Sequence, residues 1–471
     1  MGGGILSRLV IVSNRVATPH RRGAAQGGLA TGLLEAMNRQ GGLWFGWNGR
    51  ISENPSPAPA LQTEGAITFA VTPLTHREFE GYYVGFANRC LWPVFHAQLH
   101  LLHYDRSSFE TYLEVNDRWA RMLAPLIRPD DIVWIHDYHL IPLGASLRAH
   151  GVRAPLGFFL HTPFPGIDLL RALPGQTEIL EKLLAYDLVG FQTPFDCQSL
   201  SRAIAFFLPE AEREASCVRF RGHRVRVDSF PIGIDVDEVA RVARAGHNNR
   251  HGRRLATSLA GRRLILGIDR LDYSKGLAQR FRSYARLLEQ WPEFQRQVVL
   301  LQIAPLSRTE VPEYDEIRRE LNGIVGDIHA RYAEYDWMPL RYLTRGFPRS
   351  TILGFLRQAE IGLITPLRDG MNLVAKEFVA AQPEESPGVL ILSSLAGAAQ
   401  ELEEALIVNP YDSGEVARTL ARALAMGLDE RHRRWEALMG RLRRRDLHHW
   451  TETFLKALAG TFLNPSPQEH P

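Results

Sequence analysis

The sequence predicts an α/β protein whose parallel sheets carry helices on both faces, divided into two doubly wound domains. Short apolar runs of strand length recur along the chain, and segments with the spacing of amphipathic helices separate many of them. Strands that are apolar throughout and alternate with helices are typical of parallel sheets. With 471 residues the chain exceeds one ordinary domain of roughly 100 to 200 residues, so we expect two.

The predicted strands are apolar runs, each short enough to cross a sheet once. They are Leu9 to Val12, Ile132 to Ile135, Leu156 to Leu160, Leu188 to Phe191, Leu264 to Ile268, Val298 to Ile303, Ile361 to Thr365 and Val389 to Leu392. Helical periodicity is present in segments that include Leu29 to Met37, Glu313 to Tyr335, Glu415 to Met426 and Trp450 to Leu458.

The domain boundary is predicted near the middle of the chain. Arg241 to Arg263 is rich in Arg, Gly and Asn and separates two runs of strand and helix alternation. We therefore expect one domain over 1–240 and a second over 241–450. Residues 451–471 should form a C-terminal helix that packs back on the first domain, followed by a disordered tail. Ile51 to Ala66 contains three prolines and small polar residues, which predicts a loop.

Composition excludes several classes of function. The 55 basic and 52 acidic residues leave a net charge of only +3, so we expect neither a nucleic-acid nor a membrane partner. Cys90, Cys197 and Cys217 lack metal or redox spacing and fit a reducing compartment. No apolar run approaches the roughly 18 residues of a spanning helix, and no signal peptide is present, which predicts a cytoplasmic protein. The sequence leaves open whether the chain forms a homo-oligomer.

Two loops that follow predicted strands can bind a nucleotide. Ligands of open parallel sheets bind at the carboxyl ends of strands. Gly267 to Gly276 carries Arg270 and Lys275, two cations able to neutralise a pyrophosphate, although a solvated loop is the alternative.

The second loop, Thr365 to Glu377, turns at Asp369-Gly370 and enters a helix. Its backbone amides near Gly370 to Leu373 can face ligand oxygens, and Glu377 can accept hydrogen bonds from a ribose. Asp369 can instead be the helix N-cap, and the two roles are compatible.

Other candidates belong to the first half of the chain. Arg15 ends the first strand, ahead of a glycine-rich helix start that includes Gly28 and can bind a phosphate or form a plain turn. Asp137 and His161, with neighbouring histidines, follow adjacent strands and can form a sugar-hydroxyl or acid/base site. The aromatic residues around Tyr83 and Trp92 can stack on sugars, although core packing is the commoner role for any one of them.

Arg308 and the Asp235-Val-Asp237 sequence are two further candidates. Arg308, which follows another strand, is a further cation for an anionic ligand. The Asp235-Val-Asp237 sequence matches a phosphatase nucleophile pattern and the DxD of metal-dependent transferases. We reject both readings because Asp235 is well placed to cap a helix.

Taken together, these motifs resemble those of the trehalose-6-phosphate synthases. The series reads, in order, SNRVA, GGLATGL, GGLWFGWNG, YYVGFANRCLWPVFH, WIHDYHL, GFFLHTPFP, LVGFQT, FPIGID, RLDYSKGL, QIAPLSR and PLRDGMNLVAKEFVAAQ. The resemblance implies a GT-B fold, with two Rossmann-like domains facing each other across a cleft, and the substrates UDP-glucose and glucose 6-phosphate.

The resemblance also assigns residues to the two substrates. Those that match the donor-binding motif positions are Gly28, Arg270, Lys275, Phe347, Asp369, Gly370, Met371, Asn372, Leu373 and Glu377. Those that match the acceptor-binding positions are Arg15, Tyr83, Trp92, Asp137 and Arg308. The implied catalytic set is Asp137, His161, Arg270 and Lys275, with His161 in contact with the donor glucose.

By the same resemblance, transfer retains the anomeric configuration, needs no metal or other cofactor, and uses the departing diphosphate as the base. Departures from the family pattern are few: the donor loop begins GIDR instead of VER or VDR, and the loop from His20 to Gln26 matches no motif in detail. Fine donor preference, including the nucleotide base, therefore stays open.

Three alternative functions remain open from the sequence. The acceptor can be glycerol 3-phosphate, as in glucosylglycerol-phosphate synthases, because a phosphate-binding arginine suits either acceptor. The chain can also be a catalytically silent regulator that binds sugar phosphates, although intact Arg270, Lys275 and Glu377 argue against it. A NAD-dependent oxidoreductase has only the Rossmann-like alternation in its favour, since no GxGxxG with a following acidic residue occurs.

Overall fold

The computed structural model describes residues 7–16, 33–34, 37, 41–214, 216–308, 311 and 313–463. These residues divide into two compact units. Unit 1 comprises the described residues up to Pro231 and those from His448 onward, and unit 2 comprises Ile232–Leu447. The predicted disordered tail and most of the helix predicted over Leu29 to Met37 lie outside the described residues.

Unit 1 contains a ten-stranded sheet that is parallel at its centre. Its strand order is β3-β4-β2-β1-β5-β6-β7-β10-β9-β8, and antiparallel pairing occurs only at the two edges. The strands are β1 Leu9–Arg15, β2 Gly42–Ile51, β3 Ala60–Glu64, β4 Ile67–Leu74, β5 Ile132–His136, β6 Leu156–Phe159, β7 Leu188–Phe191, β8 Glu212–Glu214, β9 Cys217–Phe220 and β10 His223–Ser229.

The α-helices of unit 1 lie between these strands and after them. They are His76–Glu78, Trp92–Phe95, Arg106–Leu123, Leu143–Ala149, Ile167–Leu170, Gln176–Leu183, Pro194–Phe207 and Leu447–Leu463, whose first residue belongs to unit 2. A π-helical segment, Phe79–Leu91, joins the first two, and short 3₁₀ turns cover Leu99–Leu101, Ala124–Leu126 and Tyr138–Leu140.

Unit 2 contains a six-stranded sheet in which every neighbouring pair is parallel. Its order, β13-β12-β11-β14-β15-β16, is the 3-2-1-4-5-6 order of a Rossmann fold when the strands are counted within the unit. The strands are β11 Arg263–Ile268, β12 Val298–Ile303, β13 Leu340–Leu343, β14 Ile361–Ile364, β15 Val389–Ser393 and β16 Leu406–Val408.

The α-helices of unit 2 precede the first of those strands, alternate with the strands and follow the last of them. They are Val236–His247, Arg250–Leu259, Leu277–Gln290, Glu313–Tyr332, Arg349–Gln358, Leu373–Ala381, Ser413–Leu424 and Leu428–Arg444, with 3₁₀ turns at Tyr273–Lys275, Pro292–Phe294 and Gly397–Gln400. Among the described residues, none of the helices combines the length and the apolar character needed to cross a bilayer.

The chain changes unit earlier than the sequence suggested. The prediction put the boundary at 240/241, whereas the structure places the change at Pro231 and Ile232. The Arg-rich stretch from Arg241 to Arg263 lies inside unit 2, where it forms much of two helices. Both helices bury a narrow apolar stripe and expose their charged side chains, so the unusual composition reflects amphipathic helices instead of a linker.

The loop predicted over Ile51 to Ala66 is also partly wrong. Strand β2 continues to Ile51, and Ala60–Glu64 forms β3, which pairs antiparallel with β4 at the sheet edge. Every residue of β3 is exposed, so the strand carries no apolar alternation that a sequence pattern can detect.

The last helix packs on the sheet of unit 1. Phe454 is fully buried, and its ring stacks on Trp134 with centroids 4.6 Å apart. Glycines in β6 and β7 make room for it, because a Cβ at Gly157 or Gly190 would lie within 2.8 Å of Phe454 ring atoms. Trp450 packs against the same tryptophan at 4.7 Å. This helix therefore contributes core to unit 1 although it follows unit 2 in the chain.

We expect Phe454→Ala to destabilise the protein by about 3 to 5 kcal/mol, because it leaves a cavity among rigid aromatic neighbours. Chemical denaturation followed by circular dichroism measures the change. Lys456→Ala, on the same helix with a side chain 73% exposed, is the matched control and should leave the free energy of unfolding nearly unchanged. Equal losses in the two variants would contradict this account of the helix.

Candidate active site

The sheet of unit 2 reverses its strand order between β11 and β14. The chain proceeds from β11 to β12 and β13 on one side, then returns to β14 and continues on the other side. The loops that leave the carboxyl ends of β11 and β14 therefore diverge and leave a crevice, which is where ligands of such sheets bind. Arg270 and Lys275 follow β11, and Asp369 follows β14.

Lys275 and Asp369 form an ion pair across this crevice. Lys275 Nζ lies 2.6 Å from Asp369 Oδ2, and the two side chains are only 12% and 16% exposed. Asn372 Nδ2 donates to the same carboxylate oxygen at 3.1 Å. The loops are also joined by their backbones, since Leu367 N donates to Ser274 O at 2.7 Å. The ammonium group predicted to bind a diphosphate is thus held in place by its surroundings.

Asp369 is not the N-cap of the following helix, so that reading of the sequence is wrong. Asn372 is the cap of Leu373–Ala381: its side chain accepts a hydrogen bond from Ala375 N at 3.1 Å, and its φ is 87°. Asp369 instead directs its carboxylate to Lys275. The buried backbone of Gly370 and Met371 lies between these two residues, and Met371 O accepts from Ala398 N.

Glu377 lies in that helix with its side chain 15% exposed. Burial raises its pKa, while Arg349, whose Nη2 is 3.5 Å away, opposes the rise. Arg349 also donates to both carboxylate oxygens of Glu238 at 2.7 and 2.8 Å. Arg349 thus connects two acidic residues that are far apart in sequence, and the sequence analysis did not single it out.

Arg308 is more enclosed than the sequence suggested. It follows β12 with a φ of 50°, and its side chain is 7% exposed. Its Nη1 donates to Asp272 at 2.9 Å and to the hydroxyl of Tyr314 at 2.7 Å, while that hydroxyl donates to Asp272. Phe347, predicted for the donor, is also buried, with Arg345 4.7 Å above its ring.

Unit 1 has its own reversal of strand order, between β1 and β5. Ser13 of β1 pairs with His136 of β5, so Arg15 and Asp137 leave neighbouring strands at the same edge. Arg15 is exposed and lies 5.5 Å above the ring of Trp47. Asp137 has a φ of 76°, which is unusual for a residue with a side chain and is typical of functional sites.

Aromatic rings line the same edge. Tyr83, in the π-helical segment, stacks on His139 with centroids 5.7 Å apart and planes 13° apart. Trp92 is 5% exposed and lies 3.8 Å from the ring of His96. Trp44, by contrast, is a core residue that donates to Ser13 Oγ at 2.8 Å. The structure thus leaves Tyr83 partly accessible and encloses most of Trp92.

His161 is held between two polar partners. Its Nε2 lies 3.1 Å from Nδ1 of His136, and its Nδ1 lies 3.2 Å from Nε2 of Gln192. Burial lowers the pKa of His161 to about 3, and burial followed by the neighbouring His161 lowers that of His136 well below its usual value. Both imidazoles are therefore neutral near pH 7, and a general-base role for either is unfavourable.

Gly28 and the loop from His20 to Gln26 lie outside the described residues. Asp235 caps the helix Val236–His247, because its side chain accepts from Glu238 N at 2.8 Å, as the sequence predicted. Over the described residues, no group of three or more His, Cys, Asp or Glu side chains has the geometry to hold a metal ion.

A family model for glycosyltransferase family 20 matches residues 7–460. The chain belongs to this family. It is similar to the trehalose-6-phosphate synthase of Enterobacter sp. (strain 638), with 46% identity over 97% of this chain and 96% of that protein.

Two solved structures are similar to nearly the whole chain. The first is the UDP-forming α,α-trehalose-phosphate synthase of Burkholderia xenovorans in complex with glucose 6-phosphate, with a TM-score of 0.93, 44% identity, and 96% of this chain and 100% of that chain covered. The second is an Escherichia coli protein bound with UDP-2-fluoro glucose, with a TM-score of 0.91, 44% identity, and 96% and 99% covered. They confirm the predicted GT-B fold class.

Acidification should destabilise the folded chain through the histidine pair. Because the pKa of His161 is about 3 when folded and near 6.5 when unfolded, its stabilising contribution is complete above about pH 6.5 and is lost as the pH falls toward 3. The loss is up to about 1.4 kcal/mol per pH unit for each such group. Urea unfolding at pH 7 and pH 5 measures it, and His161→Gln should show a smaller decrease. An identical decrease in that variant would refute this assignment.

Proposed function

We propose that this chain is a UDP-forming α,α-trehalose-phosphate synthase, which transfers glucose from UDP-glucose to glucose 6-phosphate in trehalose biosynthesis. The observation that carries the proposal is the preorganised Lys275 at the strand-order reversal of a Rossmann-like unit. Full-length similarity to relatives with that activity, solved with glucose 6-phosphate and with a UDP-glucose analogue, supports both substrates.

For the donor, Arg270 and Lys275 bind the diphosphate in this proposal. Backbone groups from Asp369 to Leu373 approach the sugar and phosphate oxygens, Glu377 accepts the ribose hydroxyls, and Phe347 lies beside the nucleotide. The enclosed positions of Lys275 and Glu377 support these roles, because charges fixed in a site with little water interact strongly with a ligand and need no reorganisation.

For the acceptor, the residues assigned by the resemblance are Arg15, Tyr83, Trp92, Asp137 and Arg308, of which the two arginines would supply cations for the phosphate. The accessible guanidinium of Arg15 and the unusual backbone of Asp137 support this assignment.

The reaction joins two anomeric carbons with retention. The anomeric hydroxyl of glucose 6-phosphate forms a bond to C1 of the donor glucose on the face from which UDP leaves. The bond from C1 to the β-phosphate oxygen breaks, and the hydroxyl proton passes to that oxygen. Arg270 and Lys275 stabilise the charge that grows on the diphosphate, an electrostatic role that needs no metal ion. The neutral His161 contacts the donor glucose as a polar neighbour, not as a base.

A reducing, cytoplasmic location fits the three cysteines. None of Cys90, Cys197 and Cys217 forms a disulfide. Burial raises the pKa of Cys90 and of Cys197 to about 12, which keeps both thiols protonated and unreactive.

Release of UDP with a panel of acceptors tests the proposed activity. UDP-glucose with glucose 6-phosphate should give UDP and α,α-trehalose 6-phosphate, identified by NMR of the glycosidic linkage. ADP-glucose and GDP-glucose in parallel reactions establish the preferred base. Release with glycerol 3-phosphate alone would favour the glucosylglycerol-phosphate synthase, and no release with any acceptor would favour a regulator.

Lys275→Ala should lower kcat by about a hundredfold to a thousandfold, or about 2.7 to 4 kcal/mol of transition-state stabilisation, because a preorganised cation is lost. Steady-state kinetics with UDP-glucose measure the effect. Lys456→Ala changes an exposed lysine in unit 1 and should keep normal kinetics. Unchanged turnover in Lys275→Ala would exclude a role for this residue at the diphosphate.

Arg308→Ala should raise KM for glucose 6-phosphate by about tenfold to a hundredfold, because a charge-assisted hydrogen bond to the phosphate is lost. KM for UDP-glucose should change much less. Tyr314→Phe is the control, because it removes the other side-chain donor to Asp272 without removing a cation. If Tyr314→Phe reproduces the defect, Arg308 acts through the donor loop and not on the acceptor.

A further inference from the structure

The carboxyl ends of three adjacent strands in unit 2 are joined by one buried arginine. Arg280 lies in the first turn of the helix Leu277–Gln290, and its side chain is inaccessible to solvent. Its Nη1 donates to Asp269, which follows β11, and to Gln302 Oε1 of β12 at 2.8 Å. Its Nε donates to Thr365 Oγ1, which follows β14, at 3.0 Å. A single guanidinium therefore spans both sides of the strand-order reversal.

The sequence leaves space for this arrangement at a glycine. A Cβ at Gly267 would lie 2.9 Å from Arg280 Nη1 and 2.2 Å from Gln302 Oε1, so no other residue fits in β11 without moving the network. Gly276, with a φ of 64°, allows a similar approach, because a Cβ there would lie 2.6 Å from Thr365 O. Two loops are thus brought together more closely than side chains would permit.

A buried arginine of this kind contributes little net stability to a sheet. Burying an ion pair costs desolvation energy that the attraction between its members often fails to exceed, and apolar side chains of similar volume frequently stabilise as well. Burial is in fact strong enough to raise the pKa of Asp269 in spite of the adjacent guanidinium. The planar fork of arginine does, however, fix the directions of several partners at once.

The groups that Arg280 connects begin the two loops of the candidate active site. Asp269 directly precedes Arg270, and Thr365 begins the loop that carries Asp369. Arg280 Nη2 is also within 3.4 Å of Lys275 O. A displacement at these points moves Lys275 relative to Asp369, and errors of about 1 Å in a reacting geometry can cost a hundredfold in rate.

We propose that Arg280 is a positioning residue for the diphosphate of the donor: through Asp269, Gln302 and Thr365 it sets the placement of Arg270 and Lys275. This inference rests on the proposed function, since it assigns a further residue to the same reaction. Arg280 itself does not touch the substrate. Its contribution is made through the geometry of the two loops.

Arg280→Lys tests the proposal, because lysine keeps the charge but loses the planar fork. We expect kcat and the affinity for UDP, measured by isothermal titration calorimetry, to fall by about tenfold to a hundredfold. KM for glucose 6-phosphate should stay within about twofold, because Arg308 is held by Asp272 and Tyr314, which Arg280 does not contact, and the other acceptor residues lie in unit 1. In the Lys275→Ala background the same substitution should have a smaller effect than in the wild type, because only its action through Arg270 remains.

Arg263→Lys is the matched control. Arg263 begins the same strand β11, at its other end, and forms a two-pronged ion pair with Glu360 at 2.6 and 2.8 Å. If Arg280 has a purely structural role, both variants should lower the melting temperature, and their effects on UDP affinity and on kcat should be the same. Equal behaviour of the two variants, or additivity of Arg280→Lys with Lys275→Ala, would overturn the proposal.

Thr365→Val provides a second variant if Arg280→Lys does not fold. It removes one acceptor of Arg280 with almost no change of shape, and it should lower UDP affinity by a smaller factor than Arg280→Lys does. Unchanged UDP affinity would count against the proposal.

Measurements on the wild-type protein distinguish a failure of the proposed function from a failure of the proposed role of Arg280. Failure of the wild type to bind UDP or to form trehalose 6-phosphate overturns both the function and the inference, whereas an active wild type with a fully active Arg280→Lys overturns the inference alone.

Discussion

The reversal of strand order within each sheet is the constraint on which the candidate site depends. Parallel strands present their carboxyl ends at one edge, and the connections diverge only where the order reverses. In unit 1 that place lies between β1 and β5, and in unit 2 between β11 and β14. The predicted binding residues Arg15 and Asp137 follow the first pair of strands, and Lys275 and Asp369 follow the second. Topology thus decides which of many polar loops can form a site.

The charges of unit 2 are organised as pairs in which a carboxylate orients a cation. Asp369 holds Lys275, Asp272 holds Arg308, and Arg349 lies beside Glu377. The first two pairs are largely enclosed, which strengthens their interactions and limits the motion of their side chains. A phosphate that binds here meets cations whose positions are already fixed. Such a site needs little reorganisation as charge moves onto the departing diphosphate.

Two buried histidines of unit 1 are neutral. His136 and His161 are uncharged because burial lowers both pKa values, and Gln192 occupies the remaining nitrogen of His161. A neutral imidazole can orient a sugar hydroxyl but is a poor base at this pKa. This chemistry agrees with a transfer in which the diphosphate, not a side chain, accepts the proton.

The sequence by itself determined eight apolar strands, several helices and the residue types that follow those strands. Apolar runs and helical periodicity are short-range patterns, so β11, β12 and β14 could be located, and Arg270 and Lys275 recognised, without a structure. Only the tertiary structure showed that Asp369 pairs with Lys275, that Asn372 caps the helix, and that Arg280 joins three strands. Lys275 and Asp369 are 94 residues apart, and their contact exists because β11 and β14 are neighbours. Pairings of this kind follow from strand order and side-chain direction, which no local pattern of residues encodes.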